Sequence, residues 1–297
     1  MPILIAGPTA SGKSALAMAL AARLGGVVIN ADSMQVYGDL AILTARPSPA
    51  DEARVPHALY GHVDAATAHS VAAFLSDVAG ALAAARERGQ RPVIVGGTGL
   101  YLAALTEGLS PTPQVPADVR ALWRQRQKEA PSEALHAELA RRDPPMAARL
   151  NPGDPQRIVR ALEVVDGTGR SLLEFQAEKS PPLVDPAAST RIVLAPDRTV
   201  LRARIAARFE AMMASGALAE AATLAARGLD PALPSMKAIG VAPLIAHAAG
   251  ALTAEEVMAR AITESRQYAK RQDTWFRNRF RDWPRYESAD AAADQAI

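Results

Sequence analysis

Eight residues near the start of the chain combine the groups that hold a polyphosphate: Gly7-Pro8-Thr9-Ala10-Ser11-Gly12-Lys13-Ser14. They have the G-x-x-x-x-G-K-[ST] spacing, behind the apolar run Ile3-Leu4-Ile5-Ala6 and ahead of a helical stretch over 15–24. Gly7 and Gly12 let the backbone curl so that successive N–H groups converge on one anion. The helix N-terminus adds the positive end of its dipole, Lys13 a cation, and Ser14 a hydroxyl able to ligate Mg²⁺. Such a loop binds a di- or triphosphate and leaves open which one, and what reaction follows.

A second chemical group is Asp32, in Asn30-Ala31-Asp32-Ser33-Met34-Gln35, directly after the β-branched run Val27-Val28-Ile29. A nucleotide hydrolase of this fold carries an acidic residue at the end of a further strand. Here the run Pro92-Val93-Ile94-Val95 ends instead in Gly96-Gly97-Thr98-Gly99, so Asp32 reads better as a general base facing a polyphosphate cleft. Apolar strands alternating with helices, such as the stretch 70–88 that stops at Gly89, predict a parallel sheet covered by helices on both faces. Ligands of such sheets bind beyond the C-terminal strand ends. The phosphate loop, Asp32 and Thr98 all fall there and are expected to share one cleft.

From about residue 113 the pattern becomes purely helical. Helices are expected over 117–129, 132–141 and 156–165, separated by Pro144-Pro145 and by Asn151-Pro152-Gly153-Asp154-Pro155. A proline-rich return over 180–186 leads into the strand Arg191-Ile192-Val193-Leu194. The predicted architecture is therefore an α/β P-loop NTPase-like core of residues 1–112 and 187–297, carrying an all-helical insertion over 113–186. Helices are expected over 199–215 and 217–226 and from Thr253, which with Glu256 fits a capping box. The tail beyond Glu287 is expected to fray.

The chain has 297 residues, a net charge of +2 and no cysteine. The last excludes disulfides, iron–sulfur clusters and thiolate zinc sites. His57, His62, His69, His136 and His247 show no metal-ligand spacing and are expected to be solvated or locally hydrogen-bonded. The first strand starts at residue 3 without a leader before it, and no apolar run approaches the roughly 18–20 residues of a membrane span. A cytoplasmic protein without a membrane partner is expected. Basic residues concentrate late, at Arg266, Lys270, Arg271, Arg277, Arg279, Arg281 and Arg285, interleaved with Tyr268, Trp275, Phe276, Phe280 and Trp283. That mixture suits phosphate neutralisation beside base stacking. It equally suits an amphipathic helix with its aromatics packed inward.

Six motifs in this order resemble the bacterial tRNA dimethylallyltransferases, the tRNA isopentenyltransferase family. They are the phosphate loop; Asp32-Ser33-Met34-Gln35-Val36-Tyr37; Thr44-Ala45-Arg46-Pro47; Gly96-Gly97-Thr98-Gly99-Leu100-Tyr101; Asp154-Pro155-Gln156-Arg157-Ile158-Val159-Arg160-Ala161-Leu162-Glu163; and Lys270-Arg271-Gln272-Asp273-Thr274-Trp275-Phe276-Arg277. The resemblance implies transfer of a dimethylallyl group from dimethylallyl diphosphate to N6 of an adenosine beside the anticodon (tRNA position 37), with Mg²⁺. It implies Asp32 as the base, Thr98 at the reacting centre, Lys13, Thr9 and Arg208 on the diphosphate, and Ser14 on the metal. For the tRNA anticodon stem-loop it implies Asp32, Ser33, Met34, Gln35 and Thr98, then Gln156, Arg157, Ile158, Val159 and Arg160. Further on it implies Lys237 and Gly240, then Lys270, Arg271, Gln272, Trp275 and Arg277. Nothing in the site demands a second subunit, so a monomer is expected.

Three positions depart from the family's pattern: Val241-Ala242 after Gly240, Asn151-Pro152-Gly153, and Arg46 where a lysine is usual. Two other enzymes would share the phosphate loop, an isopentenyltransferase acting on free adenine nucleotides and a small-molecule kinase. A P-loop RNA-binding protein without turnover is the reading from another class.

Overall fold

The run Ile3-Leu4-Ile5-Ala6 is strand β1 (Ile3–Ala6), buried at every residue and lying at the centre of the sheet. The computed structural model describes residues 1–111 and 113–295, so Thr112, where the upstream core was expected to end, lies outside the described residues. The other strands are β2 (Gly26–Asn30), β3 (His57–Ala58), β4 (Arg91–Gly96), β5 (Thr190–Leu194) and β6 (Arg285–Tyr286). Among the described residues they form one sheet of order β3-β2-β4-β1-β5-β6, with every pairing parallel.

Side chains of a strand alternate between faces, and here both faces are covered. Leu4, Ala6, Val27, Ile29 and Ile94 pack with Phe74 and Val78 of α3 (Val71–Glu87) on one face. Ile3, Ile5, Val28, Val93 and Ile192 pack with Leu16 and Leu20 of α1 (Lys13–Leu24) on the other. That two-sided burial explains why these strands read as continuous apolar runs. Helix α2 (Pro49–Arg54) precedes β3, and α4 (Gly99–Glu107) follows β4.

The chain divides into two compact units, residues 107–182 and the remainder. The smaller unit is all helical: α5 (Ala117–Glu129), α6 (Ser132–Arg142), α7 (Pro144–Ala147), α8 (Pro155–Thr168) and α9 (Leu172–Ala177). Its core gathers Trp123, Leu135, Leu139, Ile158 and Leu162. Trp123 is enclosed, and its Nε1 donates to Asp166 at 3.1 Å. Its ends close earlier than the prolines imply. Gly108, at φ 79°, passes so close to the Ser180 carbonyl that a Cβ would sit 1.8 Å from it. Leu109 and Ser180 also exchange hydrogen bonds of 3.0 and 3.1 Å. In the larger unit Val184 donates to the Leu105 carbonyl at 3.0 Å. The division therefore falls at 107 and 182 rather than at 113 and 186.

The larger unit resumes after β5 with α10 (Arg198–Ala214), α11 (Ala217–Ala226), α12 (Val241–Ala248), α13 (Ala254–Arg279) and α14 (Ala289–Ala293). Thr253 caps α13 through a capping box with Glu256, as expected. Where described, the tail forms α14: Ser288 caps it, and Ala292 is buried in the cluster that α1 joins on that face.

Candidate active site

The phosphate loop closes through backbone geometry before any ligand is considered. Gly12 takes φ 96°, and the Ser11 N–H returns to the Pro8 carbonyl at 3.2 Å. Ala10 also adopts a positive φ, 62°, which costs an L-residue of order 1 kcal/mol or more and marks the loop as strained. Ser11 Oγ is buried without a hydrogen-bond partner. Lys13 and Ser14 begin α1, and Ser14 stands exposed on a cleft of about 1140 Å³.

Asp32 lines the same cleft. Asn30 fixes the turn that presents it: Asn30 Oδ1 accepts from the Asp32 N–H at 2.8 Å, and Asn30 Nδ2 donates to the Asp32 and Leu59 carbonyls at 3.0 Å each. Asp32 Oδ1 accepts from the Met34 N–H at 3.0 Å. The Thr98 hydroxyl accepts from the Ser33 N–H at 2.9 Å and donates to Ser33 Oγ at 3.2 Å. All three glycines of the Gly96-Gly97-Thr98-Gly99 turn are in close approach. A Cβ on Gly96 would lie 2.0 Å from the Ala31 carbonyl oxygen, one on Gly97 2.3 Å from Gln272 Nε2, and one on Gly99 2.2 Å from the Trp275 ring.

Two arginines of α10 complete one wall. Arg208 donates to Thr9 Oγ1 at 3.3 Å and to the Thr44 carbonyl at 3.2 Å; Arg204, one turn earlier, donates to the Ser11 carbonyl at 3.3 Å. The Thr44 loop is itself held. Glu220 of α11 accepts from the N–H groups of Ala41, Ile42 and Leu43 at 2.6–2.8 Å, and Gln35 Nε2 donates to the Thr44 and Ala45 carbonyls. Burial pushes the Lys13 ammonium down to about 8, against the opposing pull of Asp32, and the neighbouring Arg208 lowers it further. Burial likewise lowers Arg208, again opposed by Asp32. Two recessed cations beside one carboxylate form a site short of negative charge, which an anionic ligand would complete.

Several expected contacts prove to be structural. Ile158 and Val159 are 0% and 4% exposed in the core of the smaller unit, because they occupy the inward face of α8, whereas Gln156 and Arg157 are exposed. They offer RNA no side chain. Gln272, expected on the tRNA, is 5% exposed: its Oε1 accepts from the Thr9 N–H and its Nε2 donates to the Gly97 carbonyl, both at 2.8 Å. It ties the phosphate loop to the Thr98 turn. Gly240 is buried at the start of α12 with φ 92°, packed near Leu43 and Phe209, and Val241 behind it is core.

The late aromatics also turn inward. Phe276, Phe280 and Trp283 stack in series at centroid distances of 5.9 and 4.1 Å, and Trp275 is half-buried over Gly99. Lys270, Arg271 and Arg277 remain on the surface, Arg277 paired with Asp273. Lys237 is exposed at the edge of the cleft. Arg46 donates to the Tyr37 and Gly38 carbonyls at 3.1 and 3.3 Å, which orients its guanidinium at the cleft and leaves its charge in place.

Two residues of the cleft went unassigned in the sequence. Arg204 could have been found from its i, i+4 spacing to Arg208. Tyr268, one turn before Gln272, lines the cleft; burial and the nearby Asp32 charge raise its phenol. Replacing Gln272 with leucine would orphan the Thr9 N–H and the Gly97 carbonyl. At about 1–3 kcal/mol for each buried unpaired group, the variant is expected to unfold at lower urea concentration, by about 2–6 kcal/mol in stability. A midpoint equal to wild type would show that the bridge carries no load.

The model of the family described as IPP transferase matches residues 35–279. The chain belongs to that family. A second family model, isopentenyl transferase, matches residues 2–56, which include the phosphate loop and Asp32. A tRNA dimethylallyltransferase of Rhodopseudomonas palustris is 57% identical over 99% of this chain and 92% of its own length. One from Methylocella silvestris is 54% identical over 98% and 97%. Among solved structures, the tRNA isopentenylpyrophosphate transferase of Bacillus halodurans aligns with TM-score 0.70 and 33% identity, over 99% of this chain and 93% of that one. A eukaryotic dimethylallyltransferase acting on tRNA aligns with TM-score 0.77 and 28% identity, over 93% and 69%. The P-loop parallel sheet with its helical insertion is thus a fold shared with the IPP transferases. No helix among the described residues is long and apolar enough to cross a membrane.

Proposed function

We propose that this protein transfers the dimethylallyl group of dimethylallyl diphosphate to N6 of an adenosine beside the anticodon of tRNA, releasing diphosphate, in the cytoplasm and as a monomer. The observation that carries this reading is a single carboxylate, Asp32, in one cleft with the phosphate loop, Lys13 and Arg208. An exocyclic adenine amine is a poor nucleophile because its lone pair is delocalised into the ring. As N6 attacks C1 of the donor, the C1–O bond breaks and its electron pair leaves with the diphosphate; Asp32 accepts the N6 proton. Thr98, held on Ser33, steadies the turn facing that carboxylate.

The loop N–H groups, Lys13 and Arg208 meet charge that grows on the leaving oxygen, where one well-placed donor is worth several kcal/mol. The exposed Ser14 hydroxyl, for which no protein hydrogen bond is found among the described residues, and the partnerless Ser11 Oγ fit a loop completed by a diphosphate and Mg²⁺. When bound, Mg²⁺ would neutralise diphosphate charge, with Ser14 as its protein ligand. Lys270 and Arg271 flank a surface groove of about 680 Å³, and Arg271 also borders the cleft, which suits a basic approach for an RNA backbone. The target base must leave its stack to reach Asp32, at a cost of a few kcal/mol.

Incubation with labelled dimethylallyl diphosphate, Mg²⁺ and either unmodified tRNA or AMP tests the reading. Label is expected in tRNA alone. Label in AMP would identify a nucleotide isopentenyltransferase, and label in neither a binding protein.

The smaller unit makes a sharper prediction about phosphate contacts. Arg157 is 74% exposed and pairs with Asp154 at 3.4 Å, an association worth little at such exposure. Arg160 is held at 3.2 Å by Glu163, itself only 7% exposed. Arg157→Ala is expected to weaken tRNA binding and flatten its log–log salt slope by about 0.7–0.9. Arg160→Ala should change the slope little and lower stability instead. Equal slopes in wild type and Arg157→Ala, measured over a salt series, would remove Arg157 from the RNA contact.

A further inference from the structure

Away from the cleft, three side chains that no motif joins converge on one point. His62 Nε2 and His69 Nε2 lie 3.0 and 2.9 Å from the same oxygen, Asp77 Oδ2, and one ligand atom from each of the three side chains falls within 4.8 Å of the others. His62 belongs to the segment leading away from β3, His69 precedes the N-cap of α3, and Asp77 lies on α3 itself. The expectation that the histidines lack metal spacing holds along the chain and fails in space. Their other neighbours are ordinary: His57, His136 and His247 each meet one backbone carbonyl, at 2.7–3.0 Å.

We infer that His62, His69 and Asp77 bind one zinc-class divalent cation, at a site separate from the phosphate loop. Two imidazoles and a carboxylate are a donor set that suits Zn²⁺ and disfavours Mg²⁺, which prefers oxygen ligands and retained water. Zn–N and Zn–O bonds of about 2.0–2.2 Å in a tetrahedron put ligand atoms roughly 3.4 Å apart. The two histidine-to-Asp77 spacings, 3.0 and 2.9 Å, reach that with shifts of a few tenths of an ångström, and ligand nitrogens of the two imidazoles already lie within 4.8 Å of each other. His62 is partly open to solvent, which leaves the fourth position to water, while the His69 side chain is only 5% exposed.

The surroundings of His69 match those of a metal-bound imidazole. Its Nδ1 lies 3.1 Å from the Tyr101 hydroxyl, and Tyr101 is stacked on Phe74 at 3.9 Å between centroids. Metal on Nε2 requires the ring proton on Nδ1, where Tyr101 Oη would accept it; such outer partners fix tautomer and ring orientation. The site also lies behind the reaction site. Val63 exchanges backbone hydrogen bonds with Val36 and Gly38, the His69 N–H reaches the Tyr37 hydroxyl at 3.5 Å, and the Tyr101 N–H bonds the Thr98 carbonyl at 3.0 Å. A cation there would clamp the segments that follow Asp32 and Thr98.

The test is a Zn²⁺ titration of the metal-stripped full-length protein, followed by calorimetry, with excess Mg²⁺ present to fill any site at the phosphate loop. Wild type is expected to take up one equivalent with micromolar or tighter affinity. Its Tm should rise by about 5 °C at a hundredfold excess over Kd. Co²⁺ in place of Zn²⁺ should give the visible absorption of a tetrahedral site. His62→Ala, at a solvent-facing ligand, and Asp77→Asn should each weaken uptake at least tenfold and cut the Tm rise by about half or more at the same Zn²⁺ concentration. Uptake in His62→Ala equal to wild type, or no uptake by wild type below millimolar Zn²⁺, would overturn the assignment.

Discussion

Asp32→Asn is expected to lower single-turnover prenyl transfer by about 10²–10⁴-fold, the usual contribution of a positioned general base, while diphosphate binding survives. The substitution preserves shape: an asparagine Oδ1 can still accept from the Met34 N–H, and Asn30 holds the turn through the Asp32 backbone rather than its side chain. Local folding is therefore not at stake. Electrostatics point the same way for binding, since Asp32 is the negative group among Lys13, Arg208 and an incoming polyanion. Removing its charge removes repulsion toward diphosphate, so affinity should hold or tighten even as turnover falls. The same charge helps keep Lys13 protonated, which makes the neutral variant's Lys13 still easier to deprotonate and sharpens any loss of binding at alkaline pH. Turnover near wild type at saturating tRNA and donor would show that the N6 proton leaves by another route.

What the sequence disclosed and what it withheld separate along physical lines. The phosphate loop, the strand ends and Asp32 were legible because each is a local pattern: glycine spacing, a β-branched run, a carboxylate at a strand terminus. Arg208 was placed by resemblance, and the cleft receives it. Residues inside a motif were sorted poorly, because a motif records that a stretch matters and not which way each side chain faces. Arg157 and Ile158 are adjacent, yet one helical step of about 100° sends the first to solvent and the second into the core. Gln272 belongs to the basic run by sequence and to the phosphate loop by contact, a pairing across 263 positions that no periodicity reveals. The two-residue strands β3 and β6 are too short for an alternation signal. Likewise, the convergence of His62, His69 and Asp77 depends on how the path from β3 into α3 folds back, which residue spacing does not encode.

Lys13→Met is expected to stabilise the unliganded protein and cripple it for diphosphate at once. The ammonium is held at about 8, below its ordinary 10.5, chiefly because burial penalises its charge. Between those two values the unfolded chain binds more protons than the folded one, so this group's contribution to stability rises with pH through that window. Below pH 8 the penalty is present in full, at about 3 kcal/mol by linkage. Methionine removes the penalty and gives up the bond from Lys13 Nζ to the Pro8 carbonyl, 3.3 Å long and worth about 1 kcal/mol. The net gain of about 1–2 kcal/mol should raise the Tm of the ligand-free variant by roughly 2–6 °C at pH 7. Binding moves oppositely. A charge-assisted contact of about 1.5–3 kcal/mol is lost, so diphosphate affinity should fall roughly 10- to 100-fold. Wild-type affinity should also weaken as pH climbs past 8 and Lys13 loses its proton, a slope absent from the variant. A variant that melts below wild type without ligand, or that shares its alkaline slope, would mean that Lys13 is anchored for the fold and not kept strained for the anion. Strain of this kind has a reason in the chemistry. A cation already freed of water needs no reorganisation when charge develops on the leaving oxygen, and the same desolvation that costs the empty protein stability makes Lys13 effective there.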